Sequence, residues 1–105
     1  MSRDARTDAN HAEIRMALRA AGYSCYDLFR LGQGWPDILV LSKTGIPILG
    51  EIKSDEGRLT PAEKYFHSNY HGPLEVWRSA EQALDRMYVW DQRIMKNKEV
   101  DQCQR

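Results

Sequence analysis

Residues 34–53, GWPDILVLSKTGIPILGEIK, read as two apolar strands joined by a tight connection. Val, Ile and Leu fill both runs, while Ser42, Lys43, Thr44 and Gly45 carry turn chemistry. Three charges break the apolar pattern: Asp37 on the first strand, Glu51 and Lys53 on the second. A hairpin centred on Thr44 sets Ser42 against Ile46 and Asp37 against Glu51. Opposed residues share a face with Cβ atoms about 4.5–5.5 Å apart. Lys53, two residues on from Glu51, joins that face. A one-residue slip would put the two acids on opposite faces. Two carboxylates this close repel unless a proton or a metal ion lies between them.

Working outward from the hairpin, the N-terminal side predicts a helix starting near Asp8 to Asn10. Asn10 and Glu13 fit a capping box, and Ile14, Ala17, Leu18 and Ala21 form a stripe at helical spacing. Gly22 ends it as a left-handed cap. Residues 1–7 read as a loose lead-in. Glu13 borders the stripe, where its carboxylate could reach the sheet edge; it reads first as a capping residue. Tyr23 to Leu31 reads as the first strand. Gly32-Gln33-Gly34 then breaks the chain and permits a tight bend, and Pro36 opens the second strand.

On the C-terminal side, Ser54 to Leu59 is a polar loop. Thr60-Pro61-Ala62-Glu63 is a helix start, with an N-cap threonine, a proline at the first position and a glutamate at the third. That helix runs to about Tyr70 and stops at Gly72-Pro73. His67 and His71 are four residues apart but lack a third ligand, and read as surface histidines. Leu74 to Arg78 is a last short strand. Ser79 and Gln82 open a final helix that turns Ala80, Ala83, Leu84, Met87 and Ile94 inward. Trp77 and Trp90 serve the core or a dimer face. Lys96 to Arg105 reads as a frayed polar tail, leaving residues 1–95 as one domain. The predicted order is helix, three strands, helix, strand, helix: an α/β fold with helices on both faces of a mixed sheet.

Composition narrows the partners. The chain has 105 residues, enough for one small core, with fifteen basic and fifteen acidic side chains. Zero net charge gives no polyanion-binding signature, so any nucleic-acid contact needs a local patch or a metal. Cys25 and Cys103 match no zinc spacing and read as free thiols of a reducing compartment. No run is long and apolar enough for a membrane span, and no leader is visible, so the reading is soluble and cytoplasmic.

Asp37 and Glu51 offer hard oxygen donors that suit magnesium or manganese. The Ile52 carbonyl lies between Glu51 and Lys53 and could add a ligand, while Lys53 could position a water or meet a phosphate. The same charges also read as an ion pair on a strand edge, although an unpaired charge in so apolar a ribbon is costly. Spacing alone does not decide between these readings.

Pro36-Asp37 followed by Glu51-Ile52-Lys53 matches the PD-(D/E)XK nuclease motif. The surroundings resemble small stand-alone VRR-NUC nucleases, similar to phage and bacterial Holliday-junction-resolvase-like proteins. The resemblance runs from about Asn10 to Leu84. It takes in the helix with Glu13, the Gly32–Asp37 stretch, the Glu51–Lys53 strand and the Leu59–Glu63 helix start. It implies a restriction-endonuclease-like αβββαβ core and a homodimer in a bacterial or phage-infected cell. It also implies magnesium- or manganese-dependent cleavage of branched or duplex DNA. Asp37 and Glu51 would hold the metal, with Ile52 and Glu13 as further ligands and Lys53 as the water-orienting residue. Gln33 would touch substrate, and Arg30, Lys43, Arg58 and Lys64 are candidate backbone contacts. Many members carry a glutamine where this chain has Glu63, which leaves the role of Glu63 open. The expected activity is structure-selective cleavage of a Holliday junction or flap. The rival readings are a sequence-specific or less selective DNase of the same superfamily and a non-catalytic DNA-binding accessory module.

Overall fold

The computed structural model describes the backbone of residues 5–103 and the side chains of residues 9–96. The elements run α1 (Ala5–Ala20), β1 (Ser24–Asp27), a 3-10 turn (Phe29–Leu31), β2 (Ile38–Leu41), β3 (Pro47–Ile52), α2 (Pro61–Asn69), β4 (Leu74–Trp77) and α3 (Ala80–Cys103). The four strands form one sheet in the order β1-β2-β3-β4. The first three are antiparallel, and β4 lies parallel to β3 across the α2 crossover. This is the expected mixed α/β sheet.

The hairpin has the predicted register. Ile38 faces Gly50, Val40 faces Ile48 and Leu41 faces Pro47, so the ladder is centred on Thr44. Its three-residue connection closes with Gly45 N–H donating to the Ser42 carbonyl at 2.9 Å and Gly45 at φ 90°. The Ser42 hydroxyl accepts the Ile46 N–H at 3.0 Å.

Strand alternation sorts the two faces. Cys25, Ile38, Val40, Ile48, Ile52 and Trp77 point to one side and pack with Ile14 and Leu18 of α1 and Ala83 and Met87 of α3. Residues of the opposite parity, Asp37, Glu51 and Lys53, fall on the other face, where α2 covers the end of β3. Gly50 sits under the Trp77 ring and has no room for a Cβ. Trp77 is therefore core, and Trp90 is half-buried with its indole N–H donating to Glu75 at 2.9 Å.

Four local expectations are corrected. First, α1 begins at Ala5, so residues 5–7 are helical, and Asn10 is inside the helix rather than its N-cap. Its amide instead donates to the Lys53 and Arg78 carbonyls, both at 3.0 Å, a tertiary use that outweighs the local capping motif. The far end of α1 is as expected: Gly22 at φ 95°, with Tyr23 N–H reaching the Leu18 carbonyl and Gly22 N–H reaching that of Arg19. Second, the first strand stops at Asp27. Leu28 N–H turns to the Asp37 carbonyl at 2.8 Å, and Phe29–Leu31 coil into the 3-10 turn. Third, β2 begins at Ile38, with Pro36 and Asp37 leading into it. Fourth, the segment from Lys96 continues α3 to Cys103, consistent with its lack of glycine and proline. The conformation of residues 1–4 and 104–105, and the thiol of Cys103, lie outside the described residues. Cys25 is a buried free thiol.

Candidate active site

Asp37 is delivered by a constrained approach. Gly32, Gln33 and Gly34 have φ of 60°, 53° and 84°, three consecutive residues of positive φ. At Gly34 a Cβ would strike the Ala62 carbonyl, so only glycine lets this loop pass the first turn of α2. Trp35 then packs on Phe66 at 4.9 Å between ring centroids, and Pro36 is fully buried. Asp37 itself is tied to β3: its N–H donates to the Gly50 carbonyl at 3.0 Å, and its Oδ2 accepts the Ile52 N–H at 2.7 Å.

Glu51 is 1% exposed, yet its Oε1 has no hydrogen-bond partner. Burial raises its pKa, reinforced by a hydrogen bond to Asp37 and by the charges of Asp37 and Glu63; Lys53 offsets only part of this. The group is pushed up to about 10, so without a cation Glu51 keeps its proton at neutral pH. Lys53 Nζ lies 4.0 Å from Glu51 Oε2 and 2.7 Å from Glu63 Oε1.

Glu63 also closes the predicted capping box: its side chain accepts the Thr60 N–H at 2.8 Å, and Thr60 accepts the Glu63 N–H at 3.2 Å. Burial pushes its pKa up, but the bonds from Lys53 and Thr60 win and hold it below the usual range. Asp37, Glu51, Ile52, Lys53, Thr60 and Glu63 line one cleft of about 390 Å³, with Phe29, Gly32, Gly34 and Trp35 at its wall.

The sequence-predicted residues divide. Asp37, Glu51, Ile52 and Lys53 meet in this cleft. Gln33 is exposed between two of its lining glycines. Arg30, Arg58 and Lys64 are exposed on the 3-10 turn, on the loop after β3 and on the first turn of α2. Glu13 is exposed and lines a different cleft, of about 630 Å³, with Asn10, the 54–57 loop and Arg78. Its place on α1 does not put it in the Asp37–Glu51 cleft. Lys43 belongs to the turn at the other end of the hairpin. There its ammonium donates to the Ala21 carbonyl at 2.7 Å and sits 4.8 Å over the Tyr23 ring, binding α1 to the turn.

Two positions were missed. His67 is half-buried rather than a surface residue, and its unpartnered Nε2 stands 3.9 Å from the unpartnered Oε1 of Glu51. The signal was present: His67 follows Glu63 by four residues and so shares its helical face. His71, past the end of α2, is exposed as expected. Arg78 donates to the carbonyls of Ser54 at 2.6 Å and Gly57 at 2.7 Å and pins the loop after β3. A strand-end arginine folding back on a loop leaves no local pattern.

The donor set suits a hard divalent cation. The orphaned oxygen of a buried Glu51, the acids Asp37 and Glu63 beside it and only one lysine among them leave a local excess of negative charge. Among the described residues no three His, Cys, Asp or Glu side chains are grouped closely enough to hold a metal ion by themselves. This is compatible with an ion that keeps waters and takes few protein ligands.

The architecture is similar to a known one. The fold is shared with a solved VRR_NUC domain. The two align with a TM-score of 0.66 over 78% of this chain and 94% of the other, at 18% sequence identity. At that identity the likeness speaks for the fold alone. No family model matches the sequence. No curated protein matches it either. Among the described residues no helix is long and apolar enough to cross a membrane.

Proposed function

We propose that this chain is a divalent-metal-dependent DNA endonuclease of the VRR-NUC type, selective for branched DNA such as a Holliday junction or flap. The observation that carries the reading is the buried Glu51 with its unpartnered Oε1, set beside Asp37 and Lys53 in the cleft of a VRR_NUC-like fold. An acid left this way in a small core costs stability. A cation-binding role accounts for that cost; the ion pair with Lys53 offsets little of it, because the lysine lies 4.0 Å from Glu51 Oε2 and only 2.7 Å from Glu63 Oε1.

In this reading Asp37 and Glu51, with the Ile52 carbonyl, would hold magnesium or manganese. The bound ion supplies charge neutralisation at the scissile phosphate and a more acidic water. Asp37 is oriented by the Ile52 N–H. Glu51 would release its proton to bulk water as the ion binds. Lys53, held by Glu63, would orient the attacking water, whose oxygen bonds to phosphorus as one P–O ester bond breaks, its proton passing to solvent and the leaving oxygen taking one from solvent. Gln33, Arg30, Arg58 and Lys64, each exposed and next or near in the chain to a residue that lines the cleft, would serve as backbone contacts. The expected 1–95 boundary falls inside α3, so the nuclease domain takes in that helix to Cys103, and a homodimer would bring two such clefts to two strands. Lys43 and Glu13 are not part of this assignment.

The test is incubation of branched, duplex and single-stranded DNA with magnesium or manganese. Cleavage favouring the branched form, abolished in Asp37→Ala and Lys53→Ala, is expected. Failure to cut any form, or undiminished cutting by both variants, overturns the proposal. Cutting without preference retains the nuclease and removes the structure selectivity.

A further inference from the structure

We infer that His67 is a metal-binding residue of this site, its Nε2 and Glu51 Oε1 being two protein donors to one cation whose other positions water fills, since among the described residues no third His, Cys, Asp or Glu side chain is grouped with them. The inference rests on the metal-site reading above and goes beyond its carboxylate set. Both atoms are buried and lack a hydrogen-bond partner. They face each other at 3.9 Å, too long for a hydrogen bond. Two donors each about 2.1 Å from one ion lie no more than about 4.2 Å apart, so the observed spacing admits a common ion.

The surroundings favour a cation over a bridging water. The ionisable side chains acting on His67 are Glu51, Glu63 and Lys53. Lys53 is engaged by Glu63, and Asp37 adds its charge to Glu51 from the opposite strand. Negative charge therefore exceeds positive where the two orphaned atoms meet. The helix fixes the imidazole: Glu63 at the first turn anchors α2 to Lys53, and Phe66 locks the neighbouring position against Trp35.

The consequence is metal selectivity. Magnesium takes oxygen ligands almost exclusively, whereas a neutral imidazole favours first-row transition ions. The site should therefore discriminate in favour of manganese, and lose that discrimination with the imidazole.

The decisive measurement is the electron spin-echo envelope of manganese bound to the full chain, with titration calorimetry for manganese and magnesium. Wild type should show nitrogen modulation from a directly bound imidazole and bind manganese at least about tenfold tighter than magnesium. His67→Ala and His67→Gln should lose the modulation and reduce the ratio to about threefold or less, while magnesium affinity changes little. Circular dichroism checks that both variants fold. Manganese bound without nitrogen modulation overturns the role of His67 and leaves the carboxylate site standing. No binding of either ion, by a wild-type chain shown to be folded, overturns the metal-site reading and this inference with it.

Discussion

Lys53 Nζ lies 2.7 Å from Glu63 Oε1, and the same oxygen accepts the Thr60 N–H at 2.8 Å. One carboxylate thus fixes the first turn of α2 and the direction of the strand lysine. The capping box and the cleft are a single structure, so any change in how the helix starts alters where Lys53 points.

Glu63→Ala should cost about 1–2 kcal/mol through the lost cap. In a domain of this size that is a drop of roughly 4–8 °C in Tm per kcal/mol. With Lys53 unrestrained, kcat for DNA cleavage should fall at least about tenfold with little change in KM. Glu63→Gln keeps an acceptor oxygen and should lie within about 1 kcal/mol of wild type. Thermal melts and steady-state cleavage check both. A Glu63→Ala chain with an unaltered melt and unaltered kcat would separate helix cap from site.

Glu51 predicts a pH-dependent instability in the metal-free protein. Its folded pKa of about 10 stands above the ordinary carboxyl value of 4.5. The unfolded chain releases this proton where the folded chain still holds it. Stability from this group is therefore complete below about pH 4.5 and drains as pH rises toward 10. Glu51→Gln does not titrate, so it should melt higher than wild type at pH 8 by at least about 1 kcal/mol, or roughly 4 °C. The gap should close near pH 4. Melts in chelator at pH 4, 6, 8 and 9 test the sign directly; a constant gap would mean that Glu51 is not protonated in the fold.

Asn10 makes a prediction about long-range support. Its amide satisfies the carbonyls of Lys53 and Arg78 at the ends of two parallel strands. Asn10→Ala leaves both without this donor and should cost about 1–3 kcal/mol. Asn10→Asp should be worse than alanine, because a carboxylate would face two carbonyl oxygens. Chemical denaturation midpoints at fixed slope measure the order. Equal midpoints for all three proteins would show that water replaces the amide without cost.

Legibility in the sequence followed the range of the forces involved. Turn chemistry at Ser42–Gly45 set the register that opposes Asp37 to Glu51; the flanking strands are apolar on both faces, so only the three charges marked which face carries the cleft. Thr60-Pro61 and Glu63 marked their helix to the residue, since a capping box is local. Asn10 carried the same signature and was misread, because its amide had better partners some forty and seventy positions away. Lys43 shows the same limit: a cation in a hairpin turn has no sequence mark of the carbonyl and ring it will meet. His67 was within reach of helical periodicity once Glu63 was placed, but its burial depends on how α2 lies over β3. The 3-10 turn at Phe29–Leu31 arises where β1 leaves the ladder, after Leu28 N–H meets the Asp37 carbonyl, a tertiary event that an aromatic-rich stretch does not announce.

Gly50 shows how core and cleft constrain one strand from both sides. Glu51 points toward α2, so its neighbour must point toward α3, and that position lies under the Trp77 ring. Any side chain there must move the indole or the strand. Since Trp77 is fully buried, overpacking should cost about 1–3 kcal/mol in Gly50→Ala. If the strand yields, Glu51 shifts too, and metal affinity falls along with stability. If the indole yields, affinity stays and only stability falls. Adding Trp77→Phe to Gly50→Ala makes room on the core side, so it should restore part of the lost stability and, in the first case, part of the lost affinity. Calorimetric manganese binding and thermal melts on the single and double variants distinguish the two responses. A Gly50→Ala chain as stable as wild type would mean that the core around Trp77 has room to spare.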